Sequence, residues 1–231
     1  MIRRVAGLLV GALLVLGGCG AHGSSADPST ATVGADTRSR LAAGLAVGSP
    51  SAAGLIEDSA TTLTPVQAAW LPGWQVLDIS WVGPNHSRRF YAALSDDGTA
   101  VMLAGHPDSF TQMIRSAQVV VDDAAVATDI AVLYLDATRE FVRWSYRIDS
   151  TSDIQWLPSS EGDPQRVDLE TRYSPLVGPA TAEPSGTGWS VTAWMVDDRT
   201  LVRHRLEIAS NGVVDDTPEV VETDIPVPYT L

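Results

Sequence analysis

The sequence predicts an α+β fold: a mostly antiparallel sheet with a C-terminal β-meander and two or three central helices. Three observations lead there. Period-2 alternation of apolar and polar residues recurs in runs joined by short turns, and helical spacing of apolar residues is confined to the middle of the chain. The Asn211-Gly212 pair between two alternating runs is a strong hairpin signal, because both residues tolerate positive φ. All seven tryptophans lie between Trp70 and Trp194, which puts the start of the core near Leu63-Thr64-Pro65.

Taken in order, Thr64-Pro65-Val66-Gln67 reads as an N-cap with proline at the first helical position, opening a short helix that Leu71-Pro72-Gly73 ends. Leu77, Ile79 and Trp81 then alternate with Asp78 and Ser80 as a half-buried strand, and Gly83-Pro84-Asn85 turns the chain. Residues 90–94 and 100–104 form a hairpin around Ser95-Asp96-Asp97-Gly98-Thr99, with Gly98 free to take positive φ.

Two helices follow. Phe110, Met113, Ile114 and Ala117 repeat at helical spacing after Pro107-Asp108, and Val126, Ile130, Leu133 and Ala137 do so after Asp122-Asp123. Acids suit helix starts, where free N–H groups and the dipole favour negative charge. Val142, Trp144, Tyr146 and Ile148 alternate with Arg143, Ser145 and Arg147 as a strand. Residues 153–157 read as a short edge strand and 164–173 as a short helix through Val167 and Leu169.

The meander runs from Trp189 to Val196, turns at Asp197-Asp198-Arg199, returns through 201–208, and after Asn211-Gly212 continues to Ile225 with an interruption at Pro218. Along its middle strand Val202, His204, Leu206 and Ile208 share one face, with Leu201, Arg203, Arg205 and Glu207 on the other. A curved sheet wrapped on helices is similar to cystatin-like or nuclear-transport-factor-like folds. That is an analogy of fold alone, since such folds host both enzymes and binders.

The amino terminus has a different character. Arg3 and Arg4 precede an apolar run from Val5 to Leu16, and Leu16-Gly17-Gly18-Cys19 closes it. A run of about 12 apolar residues is short of the roughly 20 a permanent span needs, so residues 1–18 read as a removable export signal. The quartet at 16–19 resembles the lipobox of bacterial lipoproteins. The resemblance implies that Cys19 is alkylated by a diacylglycerol group and becomes the first residue of a chain anchored on the outer face of the cytoplasmic membrane. Two acyl chains make such anchoring stable where one is marginal. An exported chain starting at Cys19 loses Arg3 and Arg4 but no acid, so its formal charge is −15 rather than −13.

From residue 19 to 63 the chain is rich in Gly, Ala, Ser, Thr, Asp and Pro and has no aromatic residue, so a flexible tether is expected, followed by one globular domain over 64–231. Roughly 44 such residues would span about 35–40 Å. The mildly apolar stretch from Arg40 to Val47 reads as part of that linker.

Composition excludes much chemistry. All 15 basic residues are arginine, which removes Schiff-base lysines, a P-loop and the Ser-x-x-Lys nucleophile in one step. With 28 acids, the chain is poorly suited to a nucleic-acid backbone. A single cysteine permits no intramolecular disulfide and no multi-cysteine zinc site. All-arginine usage with abundant Ala, Gly and Val resembles the proteins of high-GC Gram-positive bacteria.

No catalytic set stands out. Gly-x-Ser-x-Gly and His-Glu-x-x-His are absent, and the four Asp-Asp pairs sit at expected turns or helix starts, where capping is the plainer role. His204, on an apolar strand face, reads as a satisfied core histidine. His86, Arg88 and Arg89 form a candidate anion-binding loop beside Trp81, Phe90 and Tyr91, because guanidinium forks match carboxylate and phosphate oxygens. The expectation is therefore a membrane-anchored binding or accessory module of the cell envelope. It needs no cofactor or metal, and its partner is a small ligand or an envelope protein. A motif-free envelope hydrolase is the alternative.

Overall fold

Two antiparallel sheets follow one another along the chain in the computed structural model, which describes residues 33–140 and 142–229. The first contains β1 (Thr61–Pro65), β2 (Trp74–Val82), β3 (Ser87–Ser95) and β4 (Ala100–Met102) in that order. The second contains β5 (Ser145–Ile148), β6 (Thr181–Ser185), β7 (Gly188–Asp197), β8 (Thr200–Ile208) and β9 (Val214–Glu222). Its order is β5-β7-β8-β9, with β6 also on β7. The two short strands lie end to end along one edge of β7: β5 opposes residues 194–197 and β6 opposes 188–192.

Five helices complete the α+β architecture: α1 (Ala35–Leu45), α2 (Pro50–Glu57), α3 (Pro107–Ser116), α4 (Ala124–Thr138) and α5 (Pro164–Tyr173). On one face of the first sheet, Leu41, Leu45 and Ile56 of α1 and α2 meet Leu77, Ile79 and Phe90. Its other face, through Val76, Tyr91 and Ala93, joins a core shared with α3, α4 and residues Val191, Met195 and Leu206 of the second sheet. Behind the second sheet, Trp194, Val196 and Leu201 pack on Leu169 and Tyr173 of α5 and on Ile225 and Val227. The layers thus alternate helix, sheet, helix, sheet, helix.

Helix α4 is the central layer, and its sequence explains why. Ala127, Ile130, Ala131, Leu133, Leu135 and Ala137 are all buried, so apolar residues face more than one side, as a helix between two sheets requires. The carboxylate of Asp123 accepts the Val126 N–H at 2.8 Å and caps the start, as expected. Helix α3 and α5 occupy the expected ranges, although in α5 Leu169 and Tyr173 are buried while Val167 is exposed. The hairpin at Gly98 (φ 93°) and the meander are also present.

Several expectations are corrected. Folded structure begins well before Leu63: α1, α2 and β1 occupy most of residues 35–65, so the flexible-tether reading fails there. The reason is a sparse pattern used twice, Leu41-Ala42 with Leu45 and Ala52-Ala53 with Ile56, which buries one stripe per helix inside a linker-like composition. Thr64-Pro65 ends an edge strand rather than opening a helix. At an edge the missing proline N–H costs no ladder bond. Residues 151–153 form a 3-10 turn instead of a strand start, because Asp153 accepts the Asp149 and Ser150 N–H groups at 2.9 and 2.8 Å. Strand β6, short and mostly exposed on an edge, lacks the apolar alternation that would announce it. At the 209–213 turn only Gly212 (φ 78°) is left-handed. Two sheets enclosing a helix replace the single curved sheet of the analogy. Cys19 and the quartet at 16–19 lie outside the described residues.

Candidate functional site

The β2–β3 hairpin places His86, Arg88 and Arg89 at one end of the first sheet, opposite the link from α4 to β5. Between them, with the start of α2 and the end of β4, lies a groove of about 1060 Å³. Arg88, Arg89, Arg139 and Arg143 line it together with His86 and His106, and among the described residues no aspartate or glutamate does. For a chain with 28 acids and 15 bases this is a strong local inversion. Leu55, Phe90, Met102 and Trp144 make the wall apolar between the cations. The expected loop is therefore part of the site, and the structure adds Arg139 and Arg143 from a distant segment.

The acids that balance these arginines stand behind the groove. Arg89 donates through Nε and Nη2 to the Asp78 carboxylate at 2.6–3.2 Å, and Nη2 also lies 3.1 Å from the Tyr91 hydroxyl. The bonds to Asp78 hold its guanidinium proton more tightly than usual, against the effect of burial. Arg139 donates to the Ser145 carbonyl, and burial pulls its pKa down while Asp136 opposes the shift. Burial likewise pushes the Asp136 carboxyl up, against Arg147, Arg139 and Arg89. Arg143 has only long contacts, 3.7 Å to Asp197 and 3.9 Å to Glu140. The Arg88 guanidinium makes no hydrogen bond or ion pair among the described residues. These last two are the guanidiniums with most capacity to spare.

A smaller pocket of about 450 Å³ adjoins the groove, and Arg139, Arg143 and Ser145 belong to both walls. In it, His204 Nδ1 lies 2.9 and 3.0 Å from the two oxygens of Asp216. A carboxylate only accepts, so Nδ1 carries a proton and Nε2 is left for another partner. Burial, then Asp216, Asp215 and Asp108, push the Tyr134 phenol up to about 12, so it stays protonated at neutral pH. Burial also raises the Asp197 carboxyl, with Arg143 opposing.

Sequence reasoning missed this pocket. His204 is bonded, as a core histidine would be, but it also lines a cavity, and Asp216 lies within β9 rather than in a turn. The other three Asp-Asp pairs do serve turns or caps: Asp97 accepts the Thr99 N–H at 2.9 Å, Asp123 caps α4, and Asp198 turns the β7–β8 hairpin at φ 47°. A lone histidine among Val202, Leu206 and Ile208 was the available signal. Elsewhere on the second sheet, Arg147 projects beside Met195 and Arg203 beside Trp194, so these two arginines lie on opposite faces. Arg203 is paired with Glu219. No described group of three or more His, Cys, Asp or Glu residues is arranged to hold a metal, and no described helix is long and apolar enough to cross a membrane.

No family model, no curated protein and no solved structure matches the chain.

Proposed function

We propose that the protein is an exported binding module of the cell envelope, held on the outer face of the cytoplasmic membrane through Cys19, whose groove takes the anionic group of a small ligand. One observation carries the binding part of the reading: four arginines and, among the described residues, no acid form the wall of a large groove in a strongly acidic chain. Arg88 and Arg143 supply the open forks for a phosphate or carboxylate, and Leu55, Phe90 and Trp144 cover the apolar part of the molecule. A hydrolase is less well supported. Ser145 lies opposite Asp197 in β7, four positions from the Ala193 that faces His204 and on the far side of β7, while Thr138 Oγ1 is engaged with the Tyr134 carbonyl at 2.7 Å. Neither is placed as a nucleophile for His204.

The test uses the full chain in mild detergent. Inorganic phosphate at millimolar concentration raises the melting temperature by a few degrees, about what occupancy well above Kd produces, and sodium chloride at equal ionic strength does not. The Arg88→Ala, Arg143→Ala double variant loses the shift. No shift in the wild type, or the same shift in the variant, sinks the groove reading. In cells, Cys19→Ala moves the protein out of the membrane fraction, and unchanged retention sinks the anchor.

A further inference from the structure

We infer that the ligand carries a hydroxyl as well as an anionic group, and that His204 and Tyr134 bind that hydroxyl while the arginine groove holds the charge. The inference rests on the anion reading of the groove.

The inward positions of β8 are Val202, His204, Leu206 and Ile208. An aliphatic residue at 204 would pack there without any desolvation cost, whereas a histidine and its carboxylate partner must both be withdrawn from water. Asp216 takes up Nδ1 only. His204 Nε2 and the Tyr134 hydroxyl have no hydrogen-bond partner among the described residues, yet neither atom is sealed from solvent, and both side chains line the same pocket.

Those two atoms are complementary in kind. In the neutral imidazole with its proton on Nδ1, Nε2 accepts, and the protonated phenol donates. A hydroxyl satisfies both at once, giving its proton to Nε2 and accepting from the phenol. A carboxylate or a fully ionised phosphate ester has no proton to give to Nε2, and Asp197, Glu140 and Asp216 in the pocket wall would repel any anionic group, inorganic phosphate included. The charged end therefore belongs on the groove side, where among the described residues no acid lines the wall. Because Arg139, Arg143 and Ser145 form part of both walls, one molecule can reach from groove to pocket. The ligand class is a hydroxylated organic anion, such as a sugar phosphate or a sugar acid.

Calorimetric titration of the full chain with inorganic phosphate, glucose and glucose 6-phosphate tests the division of labour. Glucose 6-phosphate binds about tenfold tighter than phosphate, the gain of roughly one well-placed hydrogen-bonded group. Tyr134→Phe and His204→Asn each remove most of that advantage and leave phosphate affinity unchanged, while Arg88→Ala with Arg143→Ala weakens both ligands. Should His204→Asn fail to fold, as circular dichroism would reveal, Tyr134→Phe decides alone. If phosphate binds but the sugar adds nothing, or the advantage survives in the folded variants, the hydroxyl inference is overturned while the groove reading stands. If phosphate itself does not bind, both fall.

Discussion

Helices cover the first sheet on both faces, and the two covers are built differently. On one side α1 and α2 touch a single sheet and leave their outer surfaces to solvent, so a narrow stripe of Leu41, Ala42 and Leu45, then Ala52, Ala53 and Ile56, is enough. On the other side α4 lies between two sheets and buries residues around much of its circumference. The contrast teaches that the apolar content a helix needs depends on how many layers it touches, not on how firmly it is held. Leu41, Ile56 and Ile130 are equally and fully buried. A close approach helps the sparser cover: a side chain at Gly44 would put its Cβ 2.5 Å from the Ala100 Cβ, so glycine lets α1 settle on β4.

The sharpest way to break the comparison is to truncate both covers. Ile130→Ala should cost about 3–5 kcal/mol and Leu41→Ala about 2–4, the range for emptying a fully buried aliphatic site, read from urea denaturation. A Leu41→Ala cost near zero would return residues 35–57 to a tether. Gly44→Ala comes next. In an exposed helix that change stabilises by up to about 1 kcal/mol, but the clash with Ala100 should reverse the sign and destabilise by about 1–2 kcal/mol. A more stable variant would mean that α1 does not sit as close as described.

The smallest effect concerns the end of α4 that faces the pocket. Tyr134 has its phenol pushed up to about 12 in the fold, against about 10 when unfolded. The folded state therefore holds this proton more tightly, and the stabilisation is complete below about pH 10 and is lost as the pH rises toward 12. Partial exposure keeps the effect small. Tyr134→Phe should remove the most alkaline step in the tyrosinate absorbance titration and blunt the loss of stability over that interval. An unchanged titration would place a different tyrosine in that role.

The same contrast explains what was legible beforehand. Helix α3, α4 and α5, strand β2, the β3–β4 hairpin and the meander each declare themselves through neighbours within a few residues, by period, cap or turn. The α1–α2 pair does not, because two or three large residues per helix disappear in an average over a linker-like stretch. In the site, the adjacent His86, Arg88 and Arg89 could be recognised as anion donors from their local chemistry alone. Arg139 and Arg143 could not be joined to them, since some fifty residues and the whole of α3 and α4 intervene. Likewise nothing local links His204 to Asp216. The pair exists because β8 and β9 are adjacent in the sheet, with Asp216 opposite Leu206.

By itself, then, the sequence determined the α+β class, the central and C-terminal elements, the acidic balance without lysine and the local chemistry that made His86, Arg88 and Arg89 an anion-binding candidate, all of which depend on local period and side-chain chemistry. Tertiary structure alone decided that two sheets enclose α4, that four arginines and, among the described residues, no acid line one groove of an acidic chain, and that His204 meets Asp216 beside Tyr134. Those features depend on which distant segments pack together, and that is settled by burying apolar faces across layers rather than by any residue's neighbours in the chain.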